Sequence, residues 1–74
     1  MPTQREAIDR VRVGARIRKL RTERGILGKQ LAEAIGCSDT HVYNIEAGRS
    51  RATAAARAAI AQLLGVQLED IEVK

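Results

Sequence analysis

Arginine is the residue type that offers this chain the most chemistry. The sequence carries 13 Lys and Arg side chains against 9 Asp and Glu, which gives a net charge of +4. Eight of the basic residues precede residue 25, whereas the segment from Gly65 onward is mainly acidic. Guanidinium groups match phosphate oxygens bidentately, so this pattern favours a polyanionic partner. An ordinary solvated helix surface is the alternative explanation for the same charges.

The residues that usually perform catalysis or hold metals are too few to form a site. Cys37 is the single cysteine and His41 the single histidine, so the chain can form neither an internal disulfide nor a four-ligand zinc site. The sequence contains no nucleophile–base pair, paired carboxylate site or phosphate-cradling loop. We therefore expect no enzymatic activity, no metal and no cofactor, and we interpret Cys37 as a small buried apolar side chain.

Length and composition predict one small helical domain. The chain has 74 residues, of which 45% are hydrophobic, with one Tyr and no Trp or Phe, so its core must be aliphatic. Abundant Ala, Leu and Arg favour helices, and we expect an all-α fold, a compact bundle of four to five short helices. No run approaches the roughly 18 apolar residues of a membrane span. The charged N-terminus does not resemble a signal peptide, so a cytoplasmic location is expected.

Glycines and capping residues divide the chain into the helices that must position any binding residues. Thr3 and Glu6 have the spacing of a capping box, which predicts a helix start near Gln4. The sequence leaves open whether residues 4–13 continue the first helix across Gly14 or form a separate turn, so we divide the chain into an N-terminal extension, 1–12, and a domain, 13–74. The first helix should end at Gly25. Later helices are expected at 28–35, 39–47, 53–64 and 68–71. The expected core comprises several alanines of the fourth helix together with Val13, Ile17, Leu20, Leu31, Ala32, Ile35, Val42, Ile45, Ile60, Leu63 and Leu64.

The segment Gly36-Cys37-Ser38 is a connection of only three residues between two predicted helices. Gly36 suits a helix C-cap with positive φ, and Ser38 suits the N-cap of the next helix. Two helices joined by so short a turn have the geometry of a helix-turn-helix, in which the first helix braces the second in a DNA major groove. Such pairs also occur in proteins that do not bind DNA, so the pattern alone leaves both interpretations open.

Several short motifs together resemble the lambda-repressor-like, or Xre/Cro-type, helix-turn-helix family over roughly residues 13 to 73. They occur in the order and at the spacing typical of that family, and they are Val13-Gly14, Ile17-Arg18, Leu20-Arg21, Gly25, Leu31-Ala32, Ile35-Gly36-Cys37-Ser38, Val42, Ile45-Glu46-Ala47-Gly48, Ile60-Ala61, Leu64-Gly65-Val66 and Leu68-Glu69-Asp70-Ile71. The resemblance implies a DNA-binding domain whose third helix reads the bases.

The resemblance also implies roles for individual side chains. Arg21 and Glu46 would form a structural ion pair, with two independent surface charges as the alternative. The base-reading positions correspond to Asp39, Thr40, His41 and Asn44. An Asn side chain can bind adenine bidentately, whereas a carboxylate can accept from cytosine but is repelled by phosphate. Asp39 is therefore equally well explained as a charge at the helix N-terminus, and His41 as an exposed side chain.

Phosphate contacts are expected around the turn and at the start of the second helix. The candidates are Gly28, Lys29, Gln30, Ser38, Tyr43, Arg49 and Arg51. Two departures from the family weaken this assignment. Leu27 and Gly28 stand where a Ser or Thr cap and a Gln are usual, and the loop after Gly48 has Ala52 where a Pro is common. Arg57 also occupies a usually apolar position, so the fourth helix could start differently or Arg57 could extend out of the core.

The function that these features imply is a transcriptional regulator that binds double-stranded DNA as a homodimer, most simply a repressor covering a two-fold operator. Leu68, Ile71 and Val73 are the candidate dimer contacts, with a role in the core as the alternative. A second interpretation is a protein-interaction module on the same scaffold, such as an antitoxin or anti-activator, that uses the acidic and apolar segment 68–74.

Overall fold

The computed structural model describes residues 3–72, and over that range the chain is all-helical. The helices are α1 (Gln4–Glu23), α2 (Gly28–Ile35), α3 (Asp39–Glu46), α4 (Ala54–Leu64) and α5 (Leu68–Ile71). The predicted fold class, a compact helical bundle, is confirmed, and the observed helix bounds differ from the expected ones by at most two residues. None of the helices among these residues combines the length and the apolar character needed to cross a membrane.

Helix α1 runs without interruption across Gly14. The Thr3 hydroxyl caps it by accepting from the backbone N–H of Glu6 at 3.2 Å. A helix of 20 residues is about 30 Å long, and α1 accounts for the longest dimension of the molecule, 32 Å. Of the two alternatives that the sequence leaves open for residues 4–13, the structure therefore shows the continuous helix.

The connection between α2 and α3 is a tight turn. Gly36 ends α2 in the left-handed region at φ +72°, and the next N–H, that of Cys37, donates to the carbonyl of Ala32 at 3.0 Å. The Ser38 hydroxyl then caps α3 by accepting from the N–H of His41 at 3.2 Å. Because both caps are local to the sequence, the turn lies where the sequence predicts it.

One aliphatic core joins all five helices. Its buried members are Ile17, Leu31, Ala32, Val42, Ile45, Ala52, Ile60, Ala61, Leu64 and Ile71. Leu63, which was expected in the core, remains 38% exposed. The buried face of α4 is set by Ile60, Ala61 and Leu64, and at 100° per residue Leu63 lies about 100° away from the centre of that face. The prediction for Leu63 was wrong for this reason.

Helix α5 closes the core through Ile71, whose exposed fraction is 0%. A side chain without exposed surface cannot contact a second protomer, so the suggestion of Ile71 as a dimer contact is wrong and the alternative role in the core applies. Leu68 stays 39% exposed. Val73, the third candidate for the dimer interface, lies outside the described residues.

Helix α4 starts close to the expected position despite the missing proline. The Thr53 hydroxyl accepts from the N–H of Ala56 at 3.1 Å. Arg57 is half-buried, and its Nη1 donates to the carbonyl of Ala52 at 2.7 Å. The side chain therefore turns back over the start of its own helix and does not insert into the core.

Candidate nucleic-acid interface

The inner side of α3 is fixed to α1 by an ion pair. Arg21 Nε lies 2.6 Å from Glu46 Oε2, and Arg21 Nη2 lies 3.0 Å from Glu46 Oε1. The remaining Nη1 donates to the carbonyl of Ile26 at 2.9 Å. The two side chains are 15% and 8% exposed, so the fork-to-fork contact is largely shielded from water. Its hydrogen bonds raise the pKa of Arg21, while partial burial opposes that shift.

A close backbone approach also holds α1 and α3 together. A Cβ atom placed on Gly14 would lie 2.2 Å from the carbonyl oxygen of Ile45 and 2.6 Å from that of Glu46. Only glycine permits this separation, because any side chain would collide with backbone atoms that cannot turn aside. The end of α3 therefore rests directly on the middle of α1.

The outer side of α3 presents polar side chains away from the core. Thr40 and Tyr43 are exposed, Asn44 is half-buried, and all three lie opposite Val42 and Ile45. The spacing i, i+3, i+4 places them on one helix face. We call Thr40, Tyr43 and Asn44 the outer face of α3.

The other two candidates for base contacts flank this face. Asp39 occupies the first turn of α3 and His41 lies on the side of the helix, both with exposed side chains. At 100° per residue each is about 100° from the centre of the outer face. The structure therefore brings Thr40 and Asn44 together and leaves Asp39 and His41 at the margins.

Tyr43 and Arg49 form a contact that the sequence analysis missed. The guanidinium carbon of Arg49 lies 5.8 Å from the centroid of the Tyr43 ring, within cation–π range. The loop after α3 brings Arg49 back beside the helix because the N–H groups of Arg49 and Ser50 both donate to the carbonyl of Asn44. The six-residue separation of the two side chains is not a helical spacing, so periodicity gave no signal for this pair.

The start of α2 lacks a side-chain cap at Leu27, as the sequence indicates. The side chain of Gln30 instead binds back to the backbone at the start of the helix. Gln30 Oε1 accepts from the backbone N–H of Leu27 at 2.7 Å. The amide NH₂ group of Gln30 is still able to donate to a phosphate. The N–H groups of Gly28 and Lys29, in the first turn of α2, have no acceptor within the helix. These donors make the helix start suited to an anion.

The two remaining candidates for phosphate contacts differ in their surroundings. The Ser38 oxygen is engaged as the cap of α3, which leaves its hydroxyl hydrogen able to donate. Arg51 is exposed in the loop before α4, where it lines a cleft bounded by α1 and Arg57. Ser38 therefore lies next to the outer face of α3, and Arg51 lies beside a separate concave surface.

Solved structures of regulators share this fold. The restriction-modification controller protein C.AhdI from Aeromonas hydrophila is 26% identical, with a TM-score of 0.80 over 86% of this chain and 97% of that one. Two crystal structures of the clp gene regulator ClgR from Corynebacterium glutamicum are each 30% identical. Their TM-scores are 0.77 and 0.74, over 95% and 96% of this chain and 69% and 86% of those chains.

A family model described as a helix-turn-helix domain matches residues 12–73. No curated protein matches the chain in sequence. The matched range includes the turn, both helices around it and the closing helices α4 and α5. With the structural likeness to two regulators, this match identifies the chain as a member of the lambda-repressor-like, Xre/Cro-type helix-turn-helix family of DNA-binding domains.

Proposed function

We propose that the chain is a transcriptional repressor that binds a two-fold DNA operator as a homodimer. The observation that supports this most directly is the difference between the two sides of α3. Its inner side is fixed to α1, and its outer face carries polar side chains directed away from the core, of which Thr40 and Tyr43 are exposed and Asn44 is half-buried. Such an arrangement suits a recognition helix in a major groove.

Thr40 and Asn44 are the central base contacts in this proposal, and Asp39 and His41 are marginal ones. Asn44 can bind adenine N6 and N7 together, while Thr40 can form a hydrogen bond or pack its methyl group on thymine. Each good contact of this kind discriminates against a wrong base by about 1–3 kcal/mol.

Phosphate contacts would come from both sides of α3. On one side are Gly28, Lys29 and Gln30 of α2 with the hydroxyl of Ser38, while Tyr43 lies on the outer face itself and Arg49 and Arg51 follow in the loop after α3. Stacking on Tyr43 holds the Arg49 guanidinium beside the outer face, where a DNA backbone would pass. These contacts supply affinity without sequence information and make binding dependent on salt.

A homodimer is supported by exposed apolar side chains on the helices that close the core. Leu63 of α4 and Leu68 of α5 are 38% and 39% exposed. Two copies joined through this region would present two recognition helices, which read half-sites spaced about 34 Å apart. Leu68→Glu should shift the sedimentation of the chain from dimer to monomer, and an unchanged dimer would place the interface elsewhere.

The test of the proposal starts with DNA selected from a random library by the wild-type chain. Asn44→Ala should lower affinity for the selected operator about tenfold or more and leave affinity for random DNA unchanged. Arg49→Ala should weaken binding to both DNAs and reduce the salt slope by about one.

Matched controls are Gln62→Ala on α4 and Arg16→Ala on α1, which replace exposed side chains of the same types away from α3. Unchanged operator affinity in both Asn44→Ala and Arg49→Ala would reject the proposal. It would favour instead a protein-binding role for the acidic and apolar segment that begins at Leu68.

A further inference from the structure

A cleft of about 620 Å³ lies on the side of the molecule formed by α1, the loop before α4, and the end of α5. We call it the arginine cleft. Its charged lining residues are Arg10, Arg51, Arg57, Glu6, Asp9 and Glu72. The volume falls within the range of about 300–1,000 Å³ that small-molecule sites occupy. No residue of the outer face of α3 lines it.

Two of the arginines carry hydrogen-bond donors that the described chain does not satisfy. The Nε atoms of Arg10 and Arg57 are buried and have no hydrogen-bond partner among residues 3–72. Leaving a buried donor unpaired is destabilising, and more so when the group is charged. Arg57 is also the residue that stands where this family commonly has an apolar side chain. Its bond to the carbonyl of Ala52 holds its guanidinium at the cleft.

The charges in the cleft balance one another without pairing. Three guanidinium groups and three carboxylates line it. Within residues 3–72, the Arg21–Glu46 contact is the one ion pair closer than 4.0 Å, so none of these six groups is in such a pair. A ligand with a single negative charge would meet the carboxylates as well as the arginines. A ligand that carries both charges would match the lining.

We propose that the arginine cleft binds a small zwitterion. Its phosphate or carboxylate would be bound by Arg10 and Arg57, whose planar forks match such oxyanions. Its ammonium group would be directed to the carboxylates of Glu6, Asp9 and Glu72. Apolar atoms of Val13 and Ile45 in the cleft wall would contact the carbon chain between the two charged groups.

Occupancy of this cleft should change DNA binding, a consequence that rests on the proposed function. Ile45 belongs to α3, and Ser50 and Arg51 in the cleft wall follow Arg49 directly. A bound ligand would restrain the loop that carries Arg49. We therefore expect the ligand to alter operator affinity through this loop, in which Arg51 is both part of the cleft wall and a candidate phosphate contact.

The site is tested on the free chain by ¹⁵N NMR titration with O-phosphoethanolamine, with inorganic phosphate and ethanolamine as single-charge comparisons. The zwitterion should give saturable shifts at the amides of cleft residues and bind at least tenfold more tightly than either comparison compound. Arg10→Gln and Arg57→Gln should each weaken it at least tenfold. Arg12→Gln, which replaces an arginine of α1 outside the cleft, should leave binding unchanged.

Absence of saturable shifts would overturn the proposal, as would equal binding of inorganic phosphate. If Arg57→Gln proves unfolded, Arg10→Gln and Glu72→Gln decide the matter, and unchanged binding in both would also overturn it. The effect of the zwitterion on operator affinity is measured separately. Zwitterion binding with unchanged operator affinity would support the site and reject its coupling to DNA, whereas a chain that binds no DNA would reject only the proposed function.

Discussion

The two sides of α3 differ in what they contact: one side packs against α1 and the other faces solvent. The inner side meets α1 through backbone contact at Gly14 and through the bidentate Arg21–Glu46 pair. The outer face has polar side chains directed away from the core, and the helix that carries them begins with a cap at Ser38. Substitutions on the inner side should therefore change folding stability, and those on the outer face should change binding alone.

The largest effect is expected at Gly14. Gly14→Ala forces a methyl group against the carbonyl oxygens of Ile45 and Glu46, so α1 and α3 must separate. Overpacking of this kind costs about 3 kcal/mol, which lowers the midpoint of thermal unfolding by about 15 °C in a domain of this size. Far-UV circular dichroism measures that midpoint.

Gly28→Ala is the matched control for Gly14→Ala. A Cβ at Gly28 would meet its nearest atom, Cγ1 of Val42, at 3.9 Å, which is ordinary contact. Because alanine favours the helix more than glycine, this variant should be neutral or slightly more stable. Equal unfolding midpoints for the two variants would show that the close approach at Gly14 does not restrict the fold.

The second effect is expected at the ion pair. Arg21→Met leaves the Glu46 carboxylate shielded and without its partner, and it also removes the donor to the carbonyl of Ile26. Since the pair is partly exposed, we expect a loss of about 2 kcal/mol, below the roughly 3–5 kcal/mol of a fully buried pair. Urea denaturation measures the loss.

Arg18→Met serves as the control because Arg18 lies on the exposed surface of α1. As is usual for surface substitutions, it should lower the free energy of unfolding by less than about 0.5 kcal/mol. A double-mutant cycle of Arg21→Met with Glu46→Gln should give a coupling free energy of about 1–2 kcal/mol. Additive effects would mean that the two side chains act independently despite their contact.

A smaller effect is expected at Ser38, the N-cap residue of α3. Ser38→Ala removes the cap of α3 and should cost about 1 kcal/mol of stability. Thr53→Ala removes the equivalent cap of α4 and should cost a similar amount. If the Ser38 hydroxyl also contacts phosphate, operator affinity should fall in Ser38→Ala alone; equal affinity in both variants would restrict Ser38 to capping.

The sequence predicts the parts of this molecule that are determined locally. Three of the helices begin directly after a capping residue, which is Thr3, Ser38 or Thr53. Each of these hydroxyl groups accepts from the backbone N–H three residues later, so the cap and its partner are close in sequence. The Gly36 turn is local in the same way. These signals need no knowledge of how the helices pack.

Tertiary contacts explain what the sequence left open or predicted wrongly. Leu63 is exposed and Ile71 is buried because the face of α4 that is buried depends on where α2 and α5 pack against it. The need for a glycine at position 14 comes from the carbonyls of α3, which are distant in sequence. The Tyr43–Arg49 contact depends on the path of a loop. The assignment of individual base contacts remains a prediction.

The smallest effect concerns Cys37, in the turn beside the outer face. Partial burial, and secondarily the negative charge of Asp39, raise the pKa of the Cys37 thiol. Alkylation by iodoacetamide should therefore show a midpoint pH above the value of about 8.5 for an unperturbed cysteine. The same chain in urea should show the ordinary midpoint, which provides the internal control.

Asp39→Asn separates the two causes of this shift. It should lower the midpoint but leave it above the value in urea, because burial contributes more than the charge. With the folded pKa raised, the stability that the neutral thiol contributes is present below the unfolded pKa and is lost as pH rises through the folded one. A folded midpoint equal to that in urea would show that the turn does not shield Cys37. A midpoint unmoved by Asp39→Asn would show that the Asp39 carboxylate points away from the turn, which would leave it free to meet a base.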